Sequence, residues 1–202
     1  MLQYPSIDKI IRDADIYAFD KLDGSNIRVE WTRKNGFAKF GSRRTLIDEN
    51  HTFLSDAIPL FMKKYADDLH EIFKKERYDK VTAFYEFHSP NSKFGRHVEE
   101  RHEVTLFDVN VSRKGFILPK DFIKMFADID TAPLLYRGKA NSDFVESVKN
   151  RTLEGMTYEG VVCKGGYDKK NRLLSFKLKS DAWLQELRED CGDDDVLFEK
   201  LA

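Results

Sequence analysis

Apolar and polar residues alternate with a period of two in several short stretches of this chain. Successive side chains along a strand point to opposite faces, so that period marks half-buried strands. It predicts strands over 16–21, 27–33 and 37–42. Asp23-Gly24 and Asn35-Gly36 read as the hairpin turns between them. Between 53 and 77 the period changes. Leu54, Ile58, Phe61, Met62, Tyr65, Leu69, Ile72 and Phe73 recur at three and four, which predicts an amphipathic helix. Pro59 places a helix start or a break close by. The strand period returns at 81–88 and 103–111. A short helix is expected after Pro119, through Phe122, Ile123 and Phe126, and another over 142–150. Strands over 158–164 and 172–179 and a helix over 181–189 close the pattern, followed by an acidic stretch, Gly192 to Asp195, expected to be solvated. Hairpin-like strands with helices between them predict an α+β fold of antiparallel sheets, not a parallel βαβ repeat.

Composition changes this picture little. With 202 residues, 41% of them hydrophobic and 16 of them Phe, the chain can bury a core as one domain. Charged residues make up 34%, yet the net charge is −1, so any nucleic-acid surface has to be a local patch. Cys163 and Cys191 form no C-x-x-C pair, and no signal peptide is evident. Reduced thiols and a cytoplasmic location are expected. The five histidines (51, 70, 88, 97 and 102) make no i, i+4 pair on a helix, so a histidine-held metal is not expected. No apolar run approaches the ~18 residues of a membrane span, and no membrane partner is expected.

Candidate chemistry comes from charged residues in places where strands look buried. Residues 21 to 26 read K-L-D-G-S-N, with Lys21 at the end of one strand. The stretch is either a polar hairpin or the seat of a lysine nucleophile. Glu86 lies between Tyr85 and Phe87, and Glu159 precedes Gly160-Val161-Val162. Lys177 and Lys179 flank Leu178 and point to one face, roughly 7 Å apart. That face is solvent, or it holds an anion such as a phosphate. Residues 92–97 (S-K-F-G-R-H) are a basic stretch that reads as a phosphate contact or a solvated loop.

In order, these features resemble the covalent nucleotidyltransferase superfamily of ATP-dependent ligases and capping enzymes, and within it the phage-type RNA ligases. K-L-D-G resembles the motif whose lysine becomes linked to AMP. G-S-R-R (41–44), F-Y-E-F (84–87), L-F-D-V (106–109), E-G-V-V-C-K (159–164) and F-K-L-K (176–179) resemble the motifs that follow it. The resemblance spans Lys21 to Lys179. It implies a nucleotidyltransferase core of antiparallel sheets flanked by helices. It also implies an RNA ligase that joins 5′-phosphate and 3′-hydroxyl ends through a lysyl-AMP and an adenylylated 5′ end.

The roles the resemblance implies match the chemistry. Lys21 must be neutral to attack, and Lys177, Lys179 and a metal ion would disfavour its charged form. Lys177 and Lys179 would clamp the α-phosphate, as phosphoryl transfer demands. Arg43, or its neighbour Arg44, would hold ribose or phosphate with its planar fork. Glu159 is the candidate ligand for Mg²⁺ or Mn²⁺, directly or through water, and Glu86 the acceptor for the ribose, although the two roles are exchangeable. Phe107 would stack on adenine or belong to the core. Asp23 would orient Lys21 or the ribose, or make the turn, and Gly24 would permit the turn and close backbone approach. Only a short segment follows Lys179, so a single adenylyltransferase domain over 1–202 is expected, ending in a short helix, with no oligonucleotide-binding barrel. Nicked RNA is the expected partner, gripped either by the core's own surface or with the help of an accessory protein. The competing readings are a minimal ligase for nicked DNA or an RNA–DNA hybrid, and a nucleotide-binding module that does not ligate.

Overall fold

The computed structural model describes residues 1–7, 14–88, 102–167 and 173–202. The first strands are β1 (Asp15–Asp20), β2 (Ser25–Thr32), β3 (Gly36–Ser42) and the two-residue β4 (Leu46–Ile47). Next come α1 (Ala57–Lys75), β5 (Lys80–His88), β6 (Glu103–Val111), β7 (Gly115–Phe116) and α2 (Pro119–Met125). The chain continues through β8 (Leu134–Lys139), α3 (Ser142–Lys149), β9 (Gly160–Tyr167), β10 (Leu173–Lys179), α4 (Asp181–Cys191) and α5 (Asp195–Leu201). Among the described residues, no helix is long and apolar enough to cross a membrane.

Two compact units result, one of Met1–Ser6 and Asp23–Ala132, the other of Ile7–Leu22 and Pro133–Ala202. In the first, antiparallel strands form a sheet of order β4-β3-β2-β5-β6-β7. The apolar stripe of α1 covers one face. Phe61 packs against Phe37, Phe40 and Tyr85, and Phe73 against Trp31. Strand alternation then sends Asn26, Arg28 and Glu30, paired with Glu86, Phe84 and Thr82, to the opposite face. Asn35-Gly36 makes the expected turn, with Gly36 at φ +64°.

In the second unit the sheet order is β10-β9-β1-β8. Ile16, Ala18, Val161, Cys163, Phe176 and Leu178 form its core together with Phe144 and Val148 of α3. Lys177 and Lys179 alternate onto the other face.

The structure corrects several expectations. No hairpin forms at Asp23-Gly24, because β1 pairs with β8 and β9 while β2 pairs with β3 and β5. The segment K-L-D-G-S-N is instead where the chain passes from one sheet to the other. The helix expected from 53 starts only at Ala57, two residues before Pro59. Strand β8 gives little apolar alternation, since each of its residues is at least partly exposed, and it escaped the pattern. The acidic stretch, Gly192 to Asp195, is exposed as expected, but it also starts a helix. Asp194 caps α5 by accepting from Leu197 N at 2.9 Å, a use of acid that a helix N-terminus rewards.

Candidate active site

Backbone bonds carry Lys21 just beyond the end of β1. Asp20 N donates to Pro133 O at 2.8 Å and Lys21 N to Gly160 O at 2.9 Å. Lys21 is thereby set beside Glu159. Its Nζ donates to Glu159 Oε2 at 2.7 Å. Lys179 Nζ lies 3.0 Å from Glu159 Oε1. One carboxylate, 4% exposed, therefore bridges two ammonium groups. Burial pushes the Glu159 carboxyl up, but the two lysines outweigh it and hold the group below its ordinary range. Burial pushes the Lys179 ammonium down, to about 7; Lys21 and Lys177 act in the same direction and Glu159 against it.

Gly160 makes this arrangement possible. Its φ is +141°, and a Cβ there would collide with the Leu178 carbonyl oxygen. Only glycine lets β9 approach β10 so closely, and that approach sets Glu159 beside Lys179, which pairs with Gly160. Ser180 N donates to Glu159 O at 2.9 Å and fixes the same junction. Lys179 is not on a solvent face, because its side chain is 6% exposed. Lys177, opposite Val162, is half-buried. The sequence offered Asp23 as the anion that would orient Lys21; the anion in direct contact with its Nζ is Glu159.

The remaining candidates, Asp23, Gly24, Arg43, Glu86 and Phe107, belong to the first unit. Gly24 is a matter of space: a Cβ there would sit 2.5 Å from Phe87 O and 3.2 Å from Glu86 Cγ. Its backbone therefore runs against the strand that carries Glu86. The Asp23 carbonyl lies 3.3 Å from His88 Nδ1. Arg43 is exposed in the turn between β3 and β4, where its guanidinium donates to Ser6 Oγ at 3.3 Å.

Phe107 owes its position to a β-bulge. Leu106 pairs with Tyr85 and Asp108 with Phe84, which leaves Phe107 as the extra residue of β6. Strict alternation would put it on the face away from Asp108. The bulge instead brings it to Phe84, with ring centroids 6.4 Å apart, and to Tyr4 at 5.1 Å.

Three residues that the sequence reading passed over belong in this description. Tyr4 donates to Asp108 Oδ2 at 2.8 Å and packs on Phe84, Phe107 and Phe116. Asn26 stands opposite Glu86, with a buried Oδ1 that has no hydrogen-bond partner among the described residues. Trp183 places its ring 3.5 Å from Lys179 Nζ. Asn26 was within reach of the sequence, two residues past Gly24 in K-L-D-G-S-N.

Among the described residues, no three His, Cys, Asp or Glu side chains cluster as a metal cage. Both Glu159 oxygens are engaged by ammonium groups. The donor set suits a hard ion that arrives on phosphates and keeps its waters, as Mg²⁺ does. His88 is buried, and burial lowers its pKa; His102 pairs with Asp56 at 3.3 Å. The 92–97 stretch lies outside the described residues.

A family model described as RNA ligase matches residues 14–179. No curated protein sequence gives a significant match. Solved structures of a Naegleria gruberi RNA ligase share the fold. A variant with AMP and Mn superposes with a TM-score of 0.62 at 15% identity, covering 85% of this chain and 51% of the other. The same ligase with PPi gives 0.61 at 15% identity, over 87% and 52%. A variant with ATP and Mn gives 0.62 at 15% identity, over 91% and 59%. This chain thus spans between half and three fifths of those chains. The expected α+β core of antiparallel sheets and flanking helices is the fold they share.

Proposed function

We propose, because this chain belongs to the RNA ligase family, that it is an ATP-dependent ligase joining RNA ends through an AMP carried on Lys21. The observation that carries this reading is the pairing of Lys21 Nζ with the buried Glu159 that also holds Lys179. A turn lysine in solvent has no use for a buried carboxylate and a second buried ammonium. The solved ligases named with ATP, AMP and PPi support a nucleotide as the substrate.

Lys21 Nζ attacks the α-phosphorus of ATP. The P–N bond forms, the bond to pyrophosphate breaks, and Nζ sheds a proton, for which Glu159 Oε2 is the nearest acceptor. Lys177 and Lys179 meet the charge that builds on the phosphoryl oxygens. The 5′-phosphate of an RNA end then attacks the same phosphorus and Lys21 leaves. Finally a 3′-hydroxyl attacks that activated end and AMP departs. Glu86 accepts from the ribose, Phe107 stacks on adenine, Arg43 offers its fork to phosphate or ribose, and Asp23 and Gly24 shape the approach to Lys21. Mg²⁺ or Mn²⁺, held through Glu159 and water, would neutralise charge on the phosphates. The reading takes 1–202 as one adenylyltransferase domain and a nick in RNA as the substrate, with an accessory protein supplying further grip.

The test is incubation with ATP labelled at the α-phosphate and Mg²⁺, followed by denaturation. Label is expected on the unsubstituted chain and absent from Lys21→Ala. Nicked RNA, nicked DNA and single-stranded RNA then serve as acceptors, and sealing is expected for nicked RNA. An unlabelled chain that still binds ATP would leave a binding module and remove the ligase reading.

A further inference from the structure

Lys179 closes its strand, and the next residue begins a helix. Ser180 Oγ accepts from Trp183 N at 3.2 Å and donates to Tyr158 O at 2.8 Å. This cap turns α4 back at once, so that residue 183, four beyond the lysine, lies over it. The Trp183 ring centroid is 3.5 Å from Lys179 Nζ, and the indole is buried. At the far end of the segment, Leu201 O accepts from the same Nζ at 2.7 Å. With Glu159 Oε1 at 3.0 Å, the ammonium is held by a carboxylate, a carbonyl and a ring face.

The choice of a ring is informative. A second carboxylate would hold the lysine equally well but would cancel its charge. An aromatic face attracts a cation through its quadrupole and leaves the charge in place. Tryptophan provides the strongest such face. Around Glu159, one negative group faces two ammonium groups, so a site that must attract a phosphoryl group gains from a neutral holder. Packing alone gives no reason to place an indole over an ammonium, since any apolar side chain would fill that space.

We infer that Trp183 is a positioning residue for Lys179, holding its ammonium where the α-phosphate arrives without neutralising it. The inference rests on the adenylyl-transfer reading of Lys21 and Lys179. It assigns a task to the helices after β10, whose first turn and last carbonyl both close on this lysine.

The test compares Trp183→Phe and Trp183→Leu with the unsubstituted chain. Lysyl-AMP formation is followed in single turnover over a range of ATP concentrations, and the fold is checked by circular dichroism. The expected order of maximal rate is Trp, then Phe, then Leu. Leu should lie about tenfold below Trp, while the ATP concentration for half-maximal rate changes less than threefold. A Leu variant as fast as the Phe variant overturns the inference. Should Trp183→Leu not fold, 5-fluorotryptophan labelling decides, because fluorine weakens the ring's quadrupole at nearly constant shape. The labelled chain should be slowed relative to its unlabelled form. Labelled Trp183→Phe, in which Trp31 is the remaining indole, should not be slowed. Equal slowing of both overturns the inference. An unsubstituted chain that forms no adduct overturns the adenylyl-transfer reading itself. A normal adduct with indifferent variants removes only the role of Trp183.

Discussion

Glu159 Oε2 accepts from Lys21 Nζ at 2.7 Å, across a sequence separation of 138 residues. The ion pair joins the end of β1 to the start of β9 and sets the charge balance around the candidate nucleophile. Replacing Glu159 with Gln keeps the shape and removes the anion. Lys179 is then buried beside Lys21 with no carboxylate to share. Breaking a buried ion pair from one side costs about 3 kcal/mol. Chemical denaturation at pH 7 should show Glu159→Gln less stable by that order, and lysyl-AMP formation should fall with it.

The same variant makes a prediction about pH. The Glu159 carboxyl titrates below its ordinary value in the folded chain. Its contribution to stability is therefore complete above the unfolded carboxyl's pKa, about 4.3. It is lost as pH falls through the lower, folded value. The stability gap between unsubstituted protein and Glu159→Gln should narrow as the pH drops below about 4, and also as it rises through about 7, where Lys179 loses its proton and with it its share of the pair. A gap that widens as the pH falls below about 4 would contradict the ion-pair account.

Gly160 is the residue on which the geometry of Glu159 depends. Gly160→Ala meets two obstacles at once, a φ of +141° and the Leu178 carbonyl oxygen. A non-glycine residue held in such backbone costs about 1–3 kcal/mol before any collision is counted. Thermal unfolding should show a loss at or above that range. At temperatures where the variant remains folded, adduct formation at Lys21 should fall more than in Gly166→Ala. An added Cβ at Gly166 meets nothing within 4 Å, which makes it the control.

Much of this was legible because strands and motifs coincide. Period-two runs located β1, β2, β3, β5, β6, β9 and β10, and the polar residues that broke those runs include Glu86, Lys177 and Lys179. Pairing between strands was less legible. Asp23-Gly24 has the local chemistry of a hairpin turn, yet the sheets on either side claim β1 and β2 separately. Local turn preference is worth little against a full set of ladder bonds. The bridging role of Glu159 was hidden for another reason. Its partners are 138 and 20 positions away, and the carboxylate that suits a metal ligand suits two ammonium groups equally. Tyr4 carried no periodic signal, because it acts as a single residue packed on the bulged strand.

That bulge supports the last prediction. Phe107 reaches the face it shares with Phe84 and Asp108 only because β6 carries one residue more than β5 at this point. If the ring serves adenine, Phe107→Leu keeps apolar volume but loses the stacking surface. Stacking of a base on an aromatic side chain is worth about 1–3 kcal/mol. The ATP concentration for half-maximal adduct formation should therefore rise about tenfold or more, with the maximal rate little changed. Tyr4→Phe is the companion. It keeps the ring against Phe107 and removes the hydroxyl that donates to Asp108. It should cost about 1 kcal/mol of stability and leave the ATP dependence nearly as it was. A Phe107→Leu variant with unaltered ATP dependence would return this ring to the core, leaving the bulge a feature of packing and not of nucleotide binding.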